Sequence, residues 1–178
     1  MTMIRAALLG ATLALAPAFA MAQATPAAQA APAAMPTEKA EFAKMAGSSN
    51  QFEIESSRLA LERAQSADVK TFARQMVEDH TKAGKAMMKA AAMKRPADPT
   101  PALAPKHAAM LEQLQGAKRA QFQMLYVDMQ VQAHEEAVAL FTHYAKNGDD
   151  AALKSFAAET LPVLEMHRKH VMQLAKKK

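Results

Sequence analysis

The chain has 178 residues, no cysteine, no tryptophan and a formal net charge of +5. This length suits one domain beside a leader, and the missing thiols exclude a disulfide framework, a thiolate nucleophile and a thiolate metal site. The charge is modest, part of it lies in the closing Lys176-Lys177-Lys178, and only two Tyr are present, so the basic, aromatic footprint of nucleic-acid binding is lacking.

Residues 1–22 are organised as a secretory signal peptide. Arg5 supplies the positive start, Ala6 to Phe19 is uncharged and apolar, Pro17 ends helical continuity, and Ala20-Met21-Ala22 offers the small-x-small pattern that a signal peptidase accepts. Ala18-Phe19-Ala20 is a second such pattern. The strongly apolar run is shorter than the ~20 residues needed to span a bilayer, so cleavage is expected, leaving no transmembrane segment. No Cys follows it, which excludes a lipid anchor, and the expected compartment is periplasmic. Residues 23–36, QATPAAQAAPAAMP, carry three prolines and no charge and read as an Ala/Pro-rich disordered linker. The folded domain is expected over 37–178, with Pro36-Thr37-Glu38 as its helix entrance and Thr37 as cap.

From there the period is helical throughout. Phe42, Met45, Ser49, Phe52, Ser56 and Leu59 form one stripe of the first segment, and Ala46, Asn50, Ser57, Ala60 and Ala64 form a second stripe of mostly small residues. Gln65-Ser66-Ala67-Asp68 supplies a break and a new cap. The second helix, with Val69, Phe72, Ala73, Met76, Val77, Ala83 and Met87, is expected to run to about Lys94. Arg95 to Pro105 holds four prolines and cannot be helix interior. A short helix follows, with Leu103, His107, Met110, Leu111 and Leu114, and stops near Gly116. A third long helix spans about Lys118 to Lys146, and Asn147-Gly148-Asp149 reads as a C-cap followed by an N-cap. The fourth starts at Asp150 and contains Pro162, which should bend it or remove one hydrogen bond. The expected architecture is all-α: a ferritin-like four-helix bundle of two antiparallel hairpins, joined by a Pro-rich crossover with a short extra helix. Met at helical spacing is core filler more often than a copper ligand.

Three histidines lie within apolar stripes: His80 beyond Met76 and Val77, His134 between Val131 and Val138, and His167 between Leu164 and Val171. Counted from the turn near Ser66, Glu53 and His80 are nearly level. Counted from the turn near Gly148, His134 and His167 differ by about one turn, or ~5 Å. Glu53, His80, His134 and His167, one from each long helix, therefore form a candidate site for a single transition-metal ion, Zn, Cu, Fe or Mn, because neutral imidazole and carboxylate suit these ions. Asp79 is placed to orient a ligand or to lie outside the core. The competing reading of the same four residues is a hydrogen-bonded structural polar layer. The paired Glu-x-x-His of di-iron bundles is absent, since Val77, Val131 and Leu164 stand three residues before these histidines. His143 falls on a polar side and is read as solvent-facing, His107 is ambiguous, and His167 with His170 is a weaker second pairing on one helix face.

The runs Phe52-Glu53-Ile54-Glu55-Ser56-Ser57-Arg58-Leu59-Ala60, Val69-Lys70-Thr71-Phe72-Ala73 and Met76-Val77-Glu78-Asp79-His80 resemble the bacterial domain of unknown function 4142 family. So do Phe122 with Tyr126, His134, and Leu161-Pro162-Val163-Leu164 followed by His167. The resemblance covers about Glu38 to Ala175 and implies an exported protein with a ferritin-like helical fold, with no activity attached. Members are often labelled outer-membrane proteins, but no barrel-like strand alternation is present here. Gln123 departs from the family pattern, which commonly has Asp there. Three functional classes follow: an exported bundle binding one metal ion with an envelope or stress role, a non-enzymatic interaction module with an envelope protein partner or a second copy of the chain, and a metal-dependent oxidoreductase. No catalytic residue or organic-cofactor motif is recognisable.

Overall fold

The computed structural model describes residues 35–92 and 102–177. The leader expected over 1–22, the linker up to residue 34 and the first three crossover prolines lie outside them. Among the described residues five helices form and no strand: α1 (Lys39–Arg63), α2 (Ala67–Ala90), α3 (Pro105–Gly116), α4 (Arg119–Asn147) and α5 (Ala151–Ala175). None is long and apolar enough to cross a membrane.

Local chemistry sets most boundaries. Ser66 caps α2, its Oγ accepting from Val69 N at 3.4 Å, and Asp150 caps α5, its Oδ1 accepting from Leu153 N at 2.9 Å. Pro105 opens α3 at a position where a missing N–H is harmless. Thr37 is not the cap of α1: Glu38 holds that place without a side-chain bond, while the Thr37 carbonyl accepts from Asp149 N at 3.0 Å. α2 ends at Ala90, short of Lys94. Gly148 has φ −63° and extended backbone, so it does not serve as a left-handed cap. Its need is space, because a Cβ there would meet the Tyr144 ring at 2.6 Å. α5 continues through Pro162, which lies on the exposed side.

Cross-helix contacts define the directions. Ser57 pairs with Tyr126, and Phe42 stacks on Tyr144 at 3.9 Å, so α1 and α4 run antiparallel. Asp68 meets Lys177 and Asp79 meets His167, so α2 and α5 are antiparallel as well. With the two hairpins α1–α2 and α4–α5, the long helices pack in a ring, and α3 lies against α1 and α4. Arg63 secures α3, donating to the carbonyls of Leu114, Gln115 and Ala117 while its guanidinium stacks over Phe122 at 4.4 Å. Gln123 accepts from the backbone N–H groups of Gln65 and Ser66, so it holds the α1–α2 turn at one end of the bundle.

Two apolar cores result. One gathers Phe52, Phe72, Met76, Leu114, Phe122 and Tyr126. The other gathers Phe42, Met87, Phe141, Tyr144, Leu153 and Phe156. On α1 the buried face runs between the two expected stripes: Phe42, Ala46, Phe52, Ser56, Ser57 and Ala60 are buried, whereas Met45 is 43% exposed. Phe52→Ala and Phe72→Ala should therefore each destabilise the domain by ~3–5 kcal/mol, and Met45→Ala by under ~0.5 kcal/mol. Chemical denaturation with an unchanged slope is the check.

Candidate metal centre

Between the two cores lies a layer of buried polar side chains. His80 on α2, His134 on α4 and His167 on α5 are all buried, and one ring nitrogen from each lies within 4.8 Å of the others. Their ring centroids form a nearly equilateral triangle, with sides of 5.8 Å (His80–His134), 5.6 Å (His80–His167) and 5.6 Å (His134–His167). The offset between His134 and His167 closes through side-chain direction. A helical side chain leans toward its own N-terminus, so His134 leans away from the α4–α5 turn and His167 leans back toward it.

Each ring has one nitrogen tethered outward. His80 Nδ1 meets Asn50 Oδ1 at 3.1 Å, His134 Nδ1 donates to the Gln130 carbonyl at 2.8 Å, and His167 Nε2 meets Asp79 Oδ2 at 3.0 Å. The second nitrogen of each ring, Nε2 of His80, Nε2 of His134 and Nδ1 of His167, is buried without a hydrogen-bond partner. With the tethered nitrogens carrying the protons, these three present lone pairs. An ion held at ~2.0–2.1 Å sets ligand nitrogens ~3.4 Å apart, so the rings would close by at most about 1.5 Å onto it.

Protonation states agree with this. Burial lowers the basicity of all three imidazoles: His80 well below its usual range, with the neighbouring rings adding to the effect, and His134 to about 4. His167 is lowered by burial and partly restored by Asp79. Neutral imidazole is the ligating form.

Glu53 is 1% exposed, and burial pushes its carboxyl up to about 8, the Gln130 side chain opposing this in part. Its Oε1 lies 3.7 Å from His134 Nδ1, the nitrogen already bonded to Gln130, and it is outside the converging trio. With the acid raised and the base lowered, the two face each other as a neutral pair and not as an ion pair. Asp79, 25% exposed, reaches across to α5 and orients His167, not its sequence neighbour His80.

Asn50 and Gln130 are outer partners that sequence reasoning did not single out. A polar residue inside a stripe was the available signal for both, but the Gln130 contact uses a backbone carbonyl, which no residue identity encodes. Gln130 Nε2 also donates to Ser56 Oγ at 3.1 Å, and Ser57 Oγ pairs with Tyr126 OH at 2.9 Å, extending the layer toward α1. Gln123, at the hairpin turn, takes no part in it. His107 anchors the crossover through Ser48 at 2.7 Å and stacks on Phe52. His143 is half-buried and not fully solvent-facing, with Nδ1 accepting from Asn147 and Nε2 buried. His170 packs edge-on against Phe72 and is not part of the trio.

These shifts have opposite consequences for stability. The histidines, depressed from 6.5, bind fewer protons folded than unfolded, so stability is present above about pH 6.5 and falls as pH drops. Glu53, raised from 4.5 to about 8, binds more protons folded, so stability falls as pH rises toward 8. Metal-free protein should be most stable near neutral pH, losing stability below it as the unfolded histidines take up protons and above it as Glu53 ionises. In Glu53→Gln that alkaline loss should disappear while the acid limb remains. Denaturation in chelator across pH 5–9 measures both limbs.

The fold has relatives among solved structures. "CopM in the Cu(II)-bound form" superposes with a TM-score of 0.63 at 19% identity, covering 79% of this chain and 97% of that one. A DUF305 fragment from Deinococcus radiodurans superposes with a TM-score of 0.65 at 14% identity, covering 79% and 96%. At these identities the likeness is one of fold. No curated protein matches the sequence. The profile described as "Domain of unknown function (DUF4142)" matches residues 24–174, which is most of the chain, and the protein belongs to that family.

Proposed function

We propose that this protein is an exported helical bundle that holds one transition-metal ion between His80, His134 and His167. The observation that carries the reading is that each of the three converging histidines keeps one buried ring nitrogen without a hydrogen-bond partner. A structural polar layer would satisfy its buried groups, each unsatisfied one costing about 1–3 kcal/mol. The three tethers supply what metal-bound histidines generally have, an outer acceptor that fixes tautomer and orientation. Asp79 serves His167 in this way, and Glu53 supports His134 from behind without being a direct ligand.

Three imidazoles favour copper, with zinc as the competitor, because affinity for nitrogen sites peaks at Cu(II) in the divalent series. The Cu(II)-bound state of one fold relative supports the same choice. Burial on every side suits sequestration of an ion more than turnover of a substrate. We read the ring of long helices as a ferritin-like four-helix bundle, supported by the crossover joining parallel α2 and α4. Export follows from the leader pattern, with cleavage after Ala22 and Ala20 as second choice. N-terminal sequencing of the envelope fraction should find a chain beginning at Gln23; a mature chain starting at Met1 would refute export by cleavage.

Thermal melting tests the site. Copper or zinc at about a hundredfold over Kd should stabilise the folded state by ~2.7 kcal/mol and raise Tm by roughly 5–10 °C. The gain should vanish in chelator and at acid pH, where the imidazoles compete for protons. His134→Ala should abolish it, and His143→Ala should leave it intact. A wild-type Tm that is identical with Cu, Zn, Fe, Mn or chelator would return the layer to a purely structural role.

A further inference from the structure

Gly84 stands in the interior of α2, one turn beyond His80. Glycine there is unfavourable, since it loses more backbone entropy on helix formation than any other residue. No described glycine has positive φ, so backbone freedom is not what Gly84 provides. Close approach is. A Cβ at this position would lie 3.0 Å from Asn50 Nδ2 and 3.9 Å from its Cγ. The other end of the same amide, Oδ1, meets His80 Nδ1 at 3.1 Å.

We propose that Gly84 is a positioning residue for the centre: its missing side chain gives the Asn50 amide the room to face His80, and Asn50 thereby fixes which nitrogen His80 presents. Gly84 touches no ligand atom, so it acts through Asn50. This inference rests on the metal reading for its functional meaning, but the relay itself is a property of the metal-free protein.

The consequence of adding a methyl group follows from what surrounds it. Gly84, Asn50 and His80 line a cavity of about 20 Å³ together with Met87, Phe141 and Phe156. At 3.0 Å the neighbour must give by a few tenths of an ångström, and the terminal amide of Asn50, beside the small cavity, is the group that can. The backbones of α1 and α2 can therefore stay where they are while the Asn50 amide shifts. That shift weakens the 3.1 Å bond from His80 Nδ1 to the other end of the same amide, so the proton is held less firmly there and moves in part to Nε2, the buried nitrogen without a partner. A change that favours the helix thus disfavours the ligand geometry.

The test uses the full mature chain, wild type against Gly84→Ala, Asn50→Ala and the double variant. Imidazole nitrogen NMR on metal-free protein should show His80 protonated at Nδ1 in wild type and redistributed in all three variants, with His134 and His167 unchanged. The double variant should match Asn50→Ala alone, because Gly84 acts through that residue. Metal-free Gly84→Ala should melt within a few degrees of wild type, the gain in helix propensity offsetting the weakened Asn50–His80 bond, which also shows that it is folded. Its affinity for Cu(II), and separately for Zn(II), by chelator competition should fall by about tenfold or more. An unchanged His80 pattern in Gly84→Ala, or effects of the two substitutions that simply add, overturns the relay. A redistributed His80 with undiminished metal affinity overturns its link to binding. A wild type that binds neither ion refutes the metal reading instead, and the NMR pattern still decides the relay.

Discussion

Three imidazoles lie buried between two apolar cores, each tethered outward through one nitrogen and unpartnered at the other. Most features of the bundle follow from accommodating that layer. A buried unsatisfied nitrogen costs about 1–3 kcal/mol, and domains of this size are stable by only about 5–15 kcal/mol in total. Three such atoms are therefore a large fraction of the folding free energy. Phe52, Phe72, Phe122 and Tyr126 on one side and Phe42, Phe141, Tyr144 and Leu153 on the other supply the apolar burial that offsets it. Burial also lowers the basicity of the rings, so the same desolvation that costs stability keeps the lone pairs free for an ion.

The three tethers are chemically different. His134 is held by the carbonyl one turn earlier on its own helix, an acceptor that is present whenever α4 is folded. His80 depends on a side-chain amide from α1, and His167 on a carboxylate from α2. Both side-chain partners are part-exposed, and Lys82 Nζ lies 4.0 Å from the second oxygen of the carboxylate. A carboxylate acceptor raises the electron density of the imidazole it holds more than a neutral amide does. Asp79 accordingly strengthens His167 as a donor more than the Asn50 amide strengthens His80.

The fold was legible because its signals are local. Helical period, the Ser66 and Asp150 caps and the break at Gln65 gave the elements to within a few residues. Gly148 is the C-cap expected of this turn, but glycine at a helix end has two uses, a positive φ or close approach, and only the position of the Tyr144 ring shows that close approach is the one in use. Met45 was misread as core because the stripes on α1 are two overlapping faces of small and large residues, and the buried arc falls between them. His80, His134 and His167 were legible as polar residues inside apolar stripes. Their mutual distance was not, because residue counting gives Cα heights and misses the opposed lean of side chains on antiparallel helices. Glu53 was counted as a ligand on height alone, whereas the side of the His134 ring it approaches depends on helix rotation. Asp79 beside His80 shows the same limit in reverse, since neighbours in a helix point about 100° apart.

The distribution of these groups over the chain gives the centre a structural role as well. His80 belongs to the first hairpin, His134 and His167 to the second, and the connection between the hairpins is the long Pro-rich crossover. Within each hairpin, a short turn and long apolar contacts keep the helices together. Between the hairpins, α2 meets α5 through Asp79–His167 and Asp68–Lys177, and the latter is an exposed pair of small energetic value. An ion bridging His80 to the other two histidines would tie the hairpins together at the level of the Asp79–His167 pair. α1 contributes no converging ligand, yet it carries Asn50, Glu53, Ser56 and Ser57, which back the layer from the side facing α4. Each helix of the ring thus adds to the layer, α1 through outer partners alone, and α1 is also the helix that α3 and the crossover are fastened to through Arg63 and Ser48.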